Sequence, residues 1–212
     1  MRLLSKILIV STIGATILSA NTSSLFDKIA SMKKGTDGYI IGAVLTKEQQ
    51  EKATTNMIKS NNPKVVKFLD GKNLLIAINS SNNRVLAINK RYSKIDQKTV
   101  KGMIGTMIHD FDEPTAMAHD KMIYWIFDEK GQKLSEDDLK AWKDKISGKP
   151  TEGMALAEAV NIKKKDVNFN PFVSVKLQSD QPMMSKVEDP KPANAYLMIS
   201  SDKLIKETTG IK

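Results

Sequence analysis

Six side chains able to do acid–base or ligand chemistry crowd one short stretch of the chain: His109, Asp110, Asp112 and Glu113 ahead of Pro114, then His119 and Asp120. The two histidines are the only ones in the sequence. Two imidazoles among four carboxylates could ligate a divalent cation, or pair a general base with the carboxylate that orients it. The six are therefore candidate metal ligands, and the chemistry they would serve is metal-assisted hydrolysis. Local structure offers a plainer account. His109 closes an apolar-striped segment, where its charge suits the carbonyl end of a helix. The acids then form a solvated loop, and His119-Asp120 falls where a hairpin bends.

Two other groups are candidates for contact with a ligand or partner. Tyr124 and Trp125 are adjacent in a strand-like run, so their side chains point to opposite faces and at most one can join the core. Trp and Tyr commonly anchor interfaces. Lys163, Lys164 and Lys165 form the densest cationic run, ahead of Lys33-Lys34 and Lys90-Arg91. Such runs also occur simply as solvated faces. Asn21-Thr-Ser23 and Asn79-Ser-Ser81 match the N-glycosylation acceptor pattern. Of the 11 methionines, those at 103, 107, 122, 154 and 198 sit in apolar runs and read as core filling. Met183-Met184, among prolines, is the pair placed to bind a soft ion.

Other chemistries are excluded. With no cysteine, the chain has no disulfide framework, Cys-ligated metal or thiol nucleophile. No phosphate-binding loop, dinucleotide fingerprint, nucleophile elbow or His-Glu-x-x-His occurs. Asp166-Val-Asn168-Phe-Asn170 opens like a calcium loop, but Pro171 stands where glycine is required and Leu177 where a bidentate glutamate is required.

The N-terminus speaks to location. Basic Met1–Lys6 precedes an uncharged apolar run from Ile7 to Ala20, ending in small residues before polar Asn21-Thr-Ser-Ser24. This is the pattern of a secretory signal peptide, expected at 1–20. Its removal takes the net charge from +9 to +7, since Arg2 and Lys6 are its only charges. A basic exported protein points to anionic envelope surfaces rather than nucleic acid. No later stretch is apolar enough to span a membrane.

The positioning elements follow from periodicity. Short helices are expected over 24–34 and from a Thr46/Gln49 capping box to about Ser60, burying Ala53, Met57 and Ile58. A buried strand is expected between them, over 39–45. Residues 64–69, 72–79 and 84–91 read as a three-stranded meander whose first turn, Asp70-Gly71, is expected to be a two-residue type I′. Val100, Met103, Ile104, Met107, Ile108 and Phe111 make one continuous helical stripe. Residues 115–128 read as a hairpin bent at 119–121. Helices are expected between Ser135 and Gly148 and over 154–162, and strands over 172–177 and 196–200. Residues 179–194, with Pro182, Pro190 and Pro192, read as a loop.

The expectation is one α+β domain over 21–212, an antiparallel sheet (meander 64–91, hairpin 115–128) packed by amphipathic helices. The function expected is that of an exported, non-enzymatic binding or accessory protein of the cell envelope, periplasmic or secreted. Its partner would be an envelope protein or an anionic envelope component, with no nucleic acid, no cofactor and no membrane span after signal cleavage. The alternative is an exported metal-assisted hydrolase using a divalent metal at the 109–120 cluster.

Overall fold

The computed structural model describes residues 24–134, 171–183 and 191–210. The expected signal peptide, the helices expected after Ser135 and over 154–162, Lys163–Lys165 and the middle of the proline-containing loop lie outside them. The architecture is α+β, as the sequence leads one to expect. Among the described residues, four helices accompany an eight-stranded antiparallel sheet and a two-stranded hairpin.

In chain order, α1 (Leu25–Ala30) leads into the small hairpin β1 (Gly35–Thr36) and β2 (Tyr39–Ile40). Then come α2 (Lys47–Thr55), β3 (Met57–Ile58), β4 (Val65–Asp70), β5 (Leu74–Asn79) and β6 (Val85–Ile95). The long helix α3 (Gln97–Phe111) connects these to β7 (Ala116–Ala118), β8 (Met122–Phe127), β9 (Val173–Ser179), β10 (Ala193–Ser200) and α4 (Asp202–Thr209). Spatial order in the large sheet is β3-β4-β5-β6-β10-β9-β8-β7. Two four-stranded meanders thus join edge to edge through β6 and β10.

The register places the core. Phe68, Ile76, Ile88, Ile199, Val175 and Trp125 are cross-strand neighbours in one row over six strands, and all six are fully buried. Strand alternation puts their flanking residues on the other face. The stripe of α3 buries Val100, Ile104, Met107 and Phe111 in the same core, and Phe111 packs against Trp125 and Phe127 with ring centroids 6.2 and 6.3 Å apart. Asp96 caps that helix by accepting the Thr99 N–H at 2.7 Å. The Thr46/Gln49 capping box is formed in both directions.

Four local expectations are corrected. Only Tyr39–Ile40 is strand; Gly42 then takes φ +82°, and a Cβ there would lie 2.6 Å from the Phe26 carbonyl oxygen. The chain passes directly beneath α1 at this point. Next, α2 stops at Thr55, and Met57 pairs with Phe68 as a strand edge, leaving Met57 and Ile58 exposed. The β4–β5 turn is not type I′: Asp70 pairs with Leu74 across three residues, of which only Gly71 has positive φ. The type I′ turn is at the other hairpin. There His119 (φ 53°) and Asp120 (φ 51°) are central, and the Lys121 N–H reaches the Ala118 carbonyl at 3.3 Å. Lastly, Met183 is fully buried, its N–H donating to Asp120 O and its carbonyl accepting from Gln97 Nε2. It fills the core instead of standing free for an ion.

Candidate functional site

The His and acid residues of 109–120 are positioned by the end of α3 and the β7–β8 turn. His109 is 88 % exposed, and its Nδ1 lies 3.0 Å from Asp110 Oδ1. Asp112 ends the helix at φ 68°; its carboxylate is 3.4 Å from Lys133 Nζ, and its carbonyl accepts the Trp125 indole N–H at 2.7 Å. The Glu113 backbone N–H, followed by Lys133, holds the Asp112 carboxyl below its ordinary range. The Glu113 carbonyl takes a longer bond from Lys133 Nζ, 3.4 Å. His119 and Asp120 are exposed at the turn. Among the described residues, no three His, Cys, Asp or Glu side chains converge as a metal-ligand set. Asp112 is engaged in holding the helix end and Trp125 in place.

Trp125 and Tyr124 part to opposite faces, as strand geometry requires. Trp125 is fully buried in the main core, while Tyr124 joins Met122 and Ile126 in a smaller cluster behind the sheet. The Tyr124 hydroxyl donates to Met122 Sδ at 3.3 Å, and burial raises its pKa to about 12. Cross-strand from it, Lys176 places its ammonium 5.7 Å from the ring centroid, and burial lowers the pKa of that amine. Neither aromatic ring is presented at the surface.

A cleft of about 550 Å³ lies elsewhere. Its walls come from the start of α1 (Ser24, Phe26), Lys64 before β4, the β5–β6 loop (Asn79–Asn82 and Arg84) and the last turn of α4 (Glu207, Thr208). Its centrepiece is buried Asn79. The amide oxygen accepts from both the N–H and the hydroxyl of Ser81, at 2.8 and 2.7 Å. Its amide nitrogen donates to Thr208 Oγ1 at 3.1 Å. One side chain thus ties the loop to α4, which sets the cleft's shape. Asn79 is buried with its nitrogen bonded to Thr208, so the Asn79-Ser-Ser81 acceptor pattern is not presented for glycan attachment in the folded chain.

The opposite wall is held by Arg84. One guanidinium nitrogen pairs with Asp27 at 2.7 Å, another donates to the Gly42 carbonyl at 2.9 Å, and the group packs 5.6 Å from the Phe26 ring centroid. The Ser24 hydroxyl first, and then Arg84, lowers the Asp27 pKa. Gly42 therefore serves both ends, passing under α1 and accepting from Arg84. Lys64 makes no ion pair among the described residues, and its Nζ lies 3.9 Å from where a Gly210 Cβ would stand, at the carbonyl end of α4.

Apart from Asn79-Ser-Ser81, which matched only an acceptor pattern, none of these residues stood out in the sequence as a site. The polar run Ser80–Asn83 was legible only as a loop, and α4 carries a cap signature, Ser201 before and Gly210 after, that sequence reading passed over. Among the described residues, no helix is long and apolar enough to cross a membrane. No protein-family model matches the chain, and no curated protein or solved structure is significantly similar to it.

Proposed function

We propose that this is an exported cell-envelope protein that acts by binding, with the cleft between α1, the β5–β6 loop and α4 as its ligand site. The observation that carries this reading is the Asn79 network. A buried amide whose oxygen takes two bonds from Ser81 and whose nitrogen gives one to Thr208 fixes a concavity of the size small-ligand sites have, roughly 300–1,000 Å³. Export rests on the basic segment and apolar run of residues 1–20, and the basic charge of the whole chain favours the anionic surroundings of an envelope. A periplasmic or secreted location and an envelope component as partner follow from the same reading.

The metal-assisted hydrolase is the rival. It draws on the residue types at 109–120, but among the described residues His109 pairs only with its neighbour Asp110, and Asp112 is engaged by Lys133 and the Trp125 indole. The test is turnover. The chain starting at Asn21 is incubated with phosphoester and carboxyl-ester substrates in Mg²⁺, Mn²⁺ or Zn²⁺, and no turnover is expected. Hydrolysis that disappears in His109→Ala would overturn the binding reading. Export is checked separately by N-terminal sequencing of the protein recovered from the envelope fraction. Asn21 is the expected first residue, and an intact Met1 would contradict cleavage.

A further inference from the structure

We infer that the cleft takes a polyhydroxylated, uncharged segment of a glycan rather than a free oxyanion; this deepens the reading above and rests on the cleft being the ligand site. The argument is an account of which hydrogen-bonding groups remain once internal bonds are made. Thr208 Oγ1 accepts from Asn79, so its own proton remains to donate. Asn82, exposed on the lining, accepts the Arg84 N–H at its Oδ1 at 3.1 Å, so that bond leaves its NH₂ donors unused. Ser81 has given its proton to Asn79, leaving lone pairs. Lys64 contributes three donors, and Glu207 on the same wall contributes only acceptors. The cleft therefore offers donors and acceptors side by side.

Charge decides between ligand classes. Arg84 is neutralised by Asp27 at 2.7 Å. Lys64 sits at the carbonyl end of α4, whose partial negative charge it offsets, and Glu207 supplies a full negative charge nearby. Lys64 is the lining cation without an ion pair among the described residues, and Glu207 on the same lining balances its charge, so the cleft carries no net positive charge to seat an oxyanion, which would also meet Glu207 and the helix end. A sugar hydroxyl donates and accepts at once and suits every group present.

The experiment uses the chain starting at Asn21, with three probes: the N-acetylglucosamine trisaccharide, maltotriose and inorganic phosphate. Binding is followed by saturation transfer to the probe and by backbone amide shifts. The expected result is that a trisaccharide binds, shifts the amides of Ser80, Asn82 and Thr208, and loses about tenfold in affinity in both Lys64→Met and Glu207→Gln. Both variants change solvent-facing groups, and an unchanged melting temperature confirms that they fold. Phosphate binding alone, tighter in Glu207→Gln and weaker in Lys64→Met, would overturn the glycan assignment while leaving the cleft as the ligand site. Sugar binding that ignores both substitutions, or no amide shift at the cleft with any probe, would overturn the inference and the site reading together.

Discussion

Replacing Gly42 with alanine tests whether the wall of the cleft is built as described. Gly42 has φ +82°, and an added Cβ would lie 2.6 Å from the Phe26 carbonyl oxygen and 2.9 Å from the Ala30 amide nitrogen. Both are backbone atoms of the α1 segment, which cannot swing aside as a side-chain tip would. The left-handed backbone costs an L-residue roughly 1–2 kcal/mol. Forcing a methyl into a closed contact costs roughly 1–3 kcal/mol more. The expected loss is about 2–5 kcal/mol, a fall in melting temperature of roughly 5–15 °C for a chain of this length. Gly38→Ala is the control, because φ there is +79° but the nearest atom to an added Cβ is Gln49 Nε2 at 3.9 Å. It carries the backbone cost alone. Urea titration of both variants, followed by far-UV circular dichroism, separates the two costs. If Gly42→Ala is no more destabilised than Gly38→Ala, the close passage beneath α1 is refuted.

Four further outcomes are expected. Asp120→Gly relieves the second left-handed residue of the type I′ turn and should stabilise by about 1 kcal/mol in the same titration. Trp125→Phe removes the donor to the Asp112 carbonyl and part of the core volume, and should cost about 1–3 kcal/mol; equal stability would contradict the place given to Asp112. Lys176→Met should stabilise at neutral pH by on the order of 1 kcal/mol. Burial lowers the Lys176 pKa, so the wild-type chain gains stability as pH rises through the folded pKa toward the unfolded value, and the advantage of the variant should fade in alkaline melts. Asp27 has the opposite sense: its folded pKa lies below the unfolded one of about 4, so its contribution is present above that pH and is lost as pH falls through the folded value. Asp27→Asn should flatten the acid limb of a melting-temperature profile taken below about pH 4.

The stripe of α3 and most strands of the two meanders were legible because burial imposes periods of 3.6 and 2 on the sequence, as in Val100–Phe111 and in Leu74, Ile76 and Ile78 of β5. The errors arose where long-range contact overrides local preference. Asp70-Gly71 carries the strongest local signal for a type I′ turn, yet of the three residues between Asp70 and Leu74 only Gly71 is left-handed, whereas the equally long β7–β8 turn takes two left-handed residues, His119 and Asp120, with no glycine. Gly42 resembles any residue of an apolar run until α1 is seen above it. Met57 and Ile58 look like the buried end of a helix, but an unpaired edge beside β4 claims them as strand. The cleft was not legible at all. Ser24, Lys64, Asn79 and Thr208 come from four places in the chain, and the Asn79–Thr208 bond, across 129 residues, brings loop and helix together.

The most direct test of the cleft is an amide chemical-shift map of the chain starting at Asn21, titrated with the soluble glycan fraction released from the cell envelope. Perturbations clustered at Ser80, Ser81, Asn82, Arg84 and Thr208 are predicted. Shifts confined to the stretch from His109 to Asp120, or none at all, would contradict the cleft as the functional centre.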